Sequence, residues 1–147
     1  MKIADWIVLV SIPALLCLAG EGQSADIQNE NSALEGCGAL SQAGMRACLE
    51  GKSQESATAL KQAENKAVDT LSKWDEDAKY IFLAKQRLTA SSKAYEQYRE
   101  AQCAFASSIG GGAIASALEL RRLACLIGLN TRRTAHIRAM VSSLPTK

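Results

Sequence analysis

Proline is almost missing from this chain. Only Pro13 and Pro145 occur among 147 residues. Nothing between them breaks a helix by removing an amide donor or by clashing with the preceding turn. Aromatic residues make up 5% of the chain, and alanine is common. That composition disfavours a sandwich or barrel and favours an all-helical domain. Histidine is also scarce: His136 stands alone, and no C-x-x-C pair accompanies it. A zinc site is therefore not expected. The acidic run Asp75, Glu76, Asp77 lacks the spacing of a calcium loop. The glycine run in "IGGGAI" lacks the lysine of a phosphate-binding loop. No cofactor is implied. The length suits one domain.

Long apolar runs are lacking too. The longest, from Ile7 to Ala19, is shorter than the ~20 residues needed to span a bilayer, and Pro13 lies within it. It follows Lys2 and is followed by small and polar residues to Ala25. That layout predicts a secretory signal peptide over residues 1–25, cut between residues 22 and 25. Leu15 and Leu16 before Cys17 do not suit a lipid-attachment site. The expected location is periplasmic or secreted, with no membrane span after cleavage. Residues 26–35 are polar and without a period, and read as a flexible lead-in. The folded domain is expected over 36–144.

Three helices are predicted in it. The first runs from about Ser41 to Lys73. Ser41 suits its N-cap, and Leu60, Ala63, Ala67, Leu71 and Trp74 form its apolar stripe. Gly51 is expected to bend or interrupt it. The second runs from about Glu76 to Ala106, with a seam of Ile81, Ala84, Leu88, Ser91, Tyr95, Tyr98, Gln102 and Phe105. Gly110 to Gly112 then permit a reversal. The third runs from about Ala115 to Ser143, with Leu120, Leu123, Ile127, Asn130, Thr134, Ile137, Val141 and Leu144 inward. Asn130 and Thr134 are expected to hydrogen-bond across the helices. The fold class is all-α, an antiparallel three-helix bundle stapled by two disulfides.

Removal of the signal leaves Cys37, Cys48, Cys103 and Cys125, an even number in an exported chain, which argues for two bridges. On one continuous helix the first two would lie ~16 Å apart at 1.5 Å per residue, beyond the ~7 Å a disulfide spans. They can join only if Cys37 sits in a turn that folds back, which Gly36 and Gly38 permit. Cys103 and Cys125 flank the glycine reversal. Sequential pairing is the expectation, and the other pairings stay open.

Charge is uneven along the chain. From Ala113 onward, Arg121, Arg122, Arg132, Arg133, Arg138 and Lys147 face Glu119 alone. The plainer reading is that this helix packs beside acidic neighbours and is largely neutralised. The sharper one makes Arg121, Arg122, Arg132 and Arg138 a face for an anionic cell-wall polymer, lipid head groups or an acidic protein. Arg99 is expected to pair with an acid on the first or second helix.

One ordered set of residues carries a resemblance. Cys37, Met45 and Cys48 are followed by Tyr95, then Tyr98-Arg99-Glu100, Cys103, Gly111-Gly112, Cys125, and "TRRTAHI" with Arg133 and Ile137. This resembles the lysozyme-inhibitor LprI-like family of small exported bacterial proteins, over about Gly36 to Met140. Tyr95 stands where the family usually has tryptophan, Ser92 where it often has glutamine, and Glu100 where it has aspartate. The resemblance implies a non-catalytic protein that binds lysozyme or another envelope protein. The alternative is an envelope protein that binds an anionic polymer through the basic last helix. Catalysis is not expected, since the cysteines are read as oxidised and His136 has no evident partner. Nucleic acid is not an expected partner of an exported chain with few aromatics.

Overall fold

The computed structural model describes residues 24–147, with side-chain environments from Glu30 onward. The expected signal segment and Cys17 lie outside the described residues, apart from Ser24 and Ala25. There are four helices rather than three: α1 (Ser24–Cys37), α2 (Gln42–Ser72), α3 (Ala78–Ser108) and α4 (Ala115–Ser142). The last three have nearly the expected spans. The correction is α1, formed by the stretch read as a flexible lead-in.

The reason α1 escapes the sequence pattern is physical. It contributes two buried side chains, Ala33 and Cys37, one turn apart, packed with Leu49 of α2 and Leu123 of α4. Two small apolar positions leave no visible period. Short helices are marginal alone and take their stability from packing, and here the packing is supplied by the rest of the bundle. Gly128 of α4 lets α1 approach. A β-carbon there would lie 2.9 Å from Glu30 Cγ and 3.7 Å from the Glu30 backbone nitrogen.

Helix α4 is the axis of the fold and packs against α1, α2 and α3. It buries residues around nearly its whole circumference from Leu123 to Asn130. The α2 stripe meets it as the period requires, with Leu60, Ala63 and Ala67 packed on Ile137. Ser41 caps α2, its Oγ accepting from the Gly44 amide at 3.3 Å. The helix continues unbroken through Gly51, contrary to the expected interruption. Helix α3 touches α4 along a narrower face than its heptad pattern suggests. Tyr95 and Cys103 face inward, while Ser91, Tyr98 and Phe105 are exposed. Because α4 is already covered by α1 and α2, only one side of it remains for α3.

Both disulfides join residues adjacent along the chain order. Cys37 bonds Cys48 with Cα atoms 6.0 Å apart, and Cys103 bonds Cys125 at 5.5 Å. Cys37 closes the last turn of α1, and the chain reverses just after it. At the glycine reversal, Gly111 has φ +58°, a left-handed conformation that favours glycine. A β-carbon on Gly110 would collide with the Leu118 side chain. Gly112 has open space around it.

Candidate functional site

The motif residues on α3 first serve to fasten helices. Arg99 Nη1 donates to Asn130 Oδ1 of α4 at 3.1 Å, and Asn130 Nδ2 donates to Ser56 Oγ of α2 at 3.0 Å. The Ser56 hydroxyl in turn donates to the Ser53 carbonyl at 2.8 Å. Asn130 is only 2% exposed, so its amide is satisfied entirely within the protein. This chain of donors links three helices. Thr134, the other polar seam residue, differs from expectation: its buried Oγ1 has no hydrogen-bond partner.

Tyr95 forms a second tie. Its hydroxyl donates to the Leu129 carbonyl at 2.6 Å. Burial raises the phenol above its ordinary pKa, against the opposing charges of Arg132, Arg99 and Arg133. Arg133 lies over the ring, its Cζ 5.1 Å from the centroid, and donates to Ser91 Oγ at 2.7 Å. Tyr98 tilts against Tyr95 with centroids 6.1 Å apart and is otherwise exposed. Glu100 bridges Arg99 at 3.1 Å and Arg122 at 3.2 Å. Arg99 thus pairs with a neighbour on its own helix.

The arginines of α4 do not make one face. Arg122 is held by Glu100 and, at 3.7 Å, by Glu119. Arg133 is committed to Tyr95 and Ser91. At about 100° per residue, Arg121 and Arg132 share one side, Arg122 and Arg133 turn toward α3, and Arg138 falls on the opposite flank. Arg121 and Arg138 are exposed. All four described cysteines are in disulfides, and no group of three or more metal-ligating side chains occurs among the described residues.

Two features were not foreseen. The first is the end of the bundle that carries both disulfides. Gln42 Nε2 donates to Ser116 Oγ at 3.4 Å, which ties the starts of α2 and α4 together. The α1–α2 and α3–α4 turns therefore emerge at one end. Large apolar side chains stand in water there: Leu40 is 51% exposed, Phe105 59%, Ile109 63% and Ile114 64%. Leu40, Ile109 and Ile114 lie in or beside turns, where no helical period marks them, while Phe105, expected in the α3 seam, faces water instead. The second is an apolar groove of about 410 Å³ toward the opposite end, between α2, α3 and α4.

Together these define a small, disulfide-stapled all-α scaffold whose polar motif fixes the helices and whose stapled end leaves Leu40, Phe105, Ile109 and Ile114 in water. The family model described as "Lysozyme inhibitor LprI" matches residues 37–136, and the chain belongs to that family. No match is found among curated proteins or among solved structures. No helix of the described residues is long and apolar enough to cross a membrane.

Proposed function

We propose that the protein works in the bacterial cell envelope, periplasmic or secreted, as a binding protein that engages lysozyme and blocks its access to the cell wall. Its docking surface is the stapled end, with Leu40, Phe105, Ile109 and Ile114 at its centre. The observation that carries this reading is their exposure at the end of the bundle that both disulfides hold. Apolar side chains left in water on a rigid frame favour association, because little ordering entropy is lost when they bind.

Charge supports an apolar contact over an electrostatic one. From Asp26 to Lys147 there are 16 Lys and Arg against 13 Asp and Glu, a net charge of +3. Animal lysozymes are basic, so long-range steering works against the encounter. The rival reading, an anionic polymer gripped by Arg121, Arg122, Arg132 and Arg138, has less support. Arg122 is already paired with two carboxylates, and Arg138 lies on a different flank from the others.

The test is lysozyme-driven lysis of a cell-wall suspension with the oxidised protein at low and high salt. Dose-dependent protection that changes little with salt, and is lost in an Ile109→Ser/Ile114→Ser variant of unchanged helicity, is the expected result. Absence of protection at either salt overturns the lysozyme reading. Protection that collapses steeply with salt moves the surface to the arginines.

A further inference from the structure

The groove at the other end has the chemistry of an amphiphile site. Its walls are Leu71 and Trp74 from α2, Leu88 from α3, and Ile137, Val141 and Leu144 from α4. Its charged lining residues are Arg87 and Arg133, both cationic, and no carboxylate lines it. They are gathered at one stretch: Arg87 precedes Ser91 by one turn of α3, and Arg133 donates to Ser91 Oγ at 2.7 Å. The buried Nε of Arg133 has no hydrogen-bond partner. A half-buried guanidinium beside an apolar trough is stabilised when an anion lies nearby. Arg133 is held in place by Tyr95 and Ser91, so it presents a fixed positive charge at the groove.

The groove's far limit is also fixed. The tail after α4 pairs with the α2–α3 turn: the Asp75 amide donates to the Pro145 carbonyl and the Lys147 amide to the Lys73 carbonyl, each at 2.9 Å. These bonds hold Leu144 and Trp74 at the apolar end. The volume of about 410 Å³ lies at the small end of the range of ligand sites, ~300–1,000 Å³.

We propose that this groove binds a single long-chain fatty acid, with its alkyl chain along Leu71, Trp74, Leu88 and Val141 and its carboxylate toward Arg87 and Arg133. The site is separate from the stapled end and independent of the lysozyme reading. Charge complementarity selects the occupant, since both charged residues that line the groove are cationic and no carboxylate opposes them.

The test uses the full oxidised chain carrying Trp6→Phe, so that Trp74 is its one tryptophan. Dibrominated stearate is titrated while Trp74 fluorescence is followed. Expected are saturable quenching at one equivalent, affinity at least about tenfold weaker for the methyl ester or for Arg87→Ala, and loss of saturable binding in the groove-filling variants Ala84→Phe and Val141→Phe. Using two filling variants guards against one that fails to fold, checked by circular dichroism. The proposal is overturned by non-saturable quenching, by equal affinity for acid and ester, or by binding that survives in a folded filling variant. A concentration-dependent dimer that either filling variant converts to monomer would assign the groove to a second copy of the chain and also overturn it.

Discussion

Arg99 and Asn130 meet across the α3–α4 contact, guanidinium to amide oxygen, at 3.1 Å. The bond orients the amide so that its nitrogen faces Ser56 of α2. One asparagine therefore fixes the relative register of three helices. A single polar residue in a helical seam can specify alignment at some cost in stability.

Asn130→Ala removes both bonds at once and leaves Arg99 Nη1 without its acceptor, while Arg99 Nη2 keeps Glu100. The expected loss is ~2–3 kcal/mol, within the range for stranded buried polar groups, read as a lower urea midpoint at unchanged m-value. Thr134→Val should behave in the opposite way. Its hydroxyl is buried without a partner, so replacing it with a methyl group is expected to be neutral or stabilising by up to about 1 kcal/mol. Equal destabilisation by the two variants would contradict the network described.

Tyr95→Phe deletes the bond to the Leu129 carbonyl and is expected to cost about 1 kcal/mol. It should also alter alkaline behaviour. Burial raises the folded-state phenol above its ordinary 10.0, so above that pH the unfolded chain loses its proton first. Tyr95 therefore contributes its full stability below pH ~10, and that contribution is lost as pH rises through the folded pKa. Urea midpoints measured from pH 8 to 11 should fall less steeply in Tyr95→Phe than in the parent.

Tryptic digestion without reductant should release two linked pairs. Cleavage at Arg46 and Lys52 places Cys48 in Ala47–Lys52, bonded to the peptide that contains Cys37 and ends at Arg46. Glu100–Arg121 should be bonded to Leu123–Arg132. Masses that join Cys37 to Cys103 or Cys125 would refute the pairing. Each bridge closes a short loop, so replacing either pair by serine is expected to cost ~3 kcal/mol in the chain-entropy account.

Gly128→Leu should detach α1. Its side chain would occupy the space of Glu30, whose Cγ lies 2.9 Å from the site of the β-carbon. Hydrogen exchange in residues 30–36 should accelerate while α3 stays protected. Gly128→Ala should be much milder, because the nearest atoms belong to a side chain that can swing and alanine favours the helix by about 1 kcal/mol. Unchanged exchange in Gly128→Leu would show that α1 does not depend on this close approach.

Most of the helical frame follows from residue order alone. The stripe from Leu60 to Leu71 and the seam from Leu123 to Ile137 repeat at helical spacing, and repetition along one chain is visible without knowing what lies opposite. The cysteine count and their distances in sequence pointed to the observed bridges for the same reason: covalent reach is a local constraint. Asn130 was legible as a cross-helix donor because it interrupts an apolar seam. Its partners were not, since Ser56 and Arg99 lie 74 and 31 residues away.

The remainder came from how the helices pack. Packing made α1 a helix, because Ala33 and Cys37 gain their burial from α2 and α4 rather than from their own neighbours. It divided the basic residues of the last helix, since Glu100, Tyr95 and Ser91 reach them from another element. It left Ile109 and Ile114 in water and opened the groove beside Trp74. Exposure and concavity arise from how helices are arranged, and a one-dimensional pattern records the faces but not which of them remain uncovered.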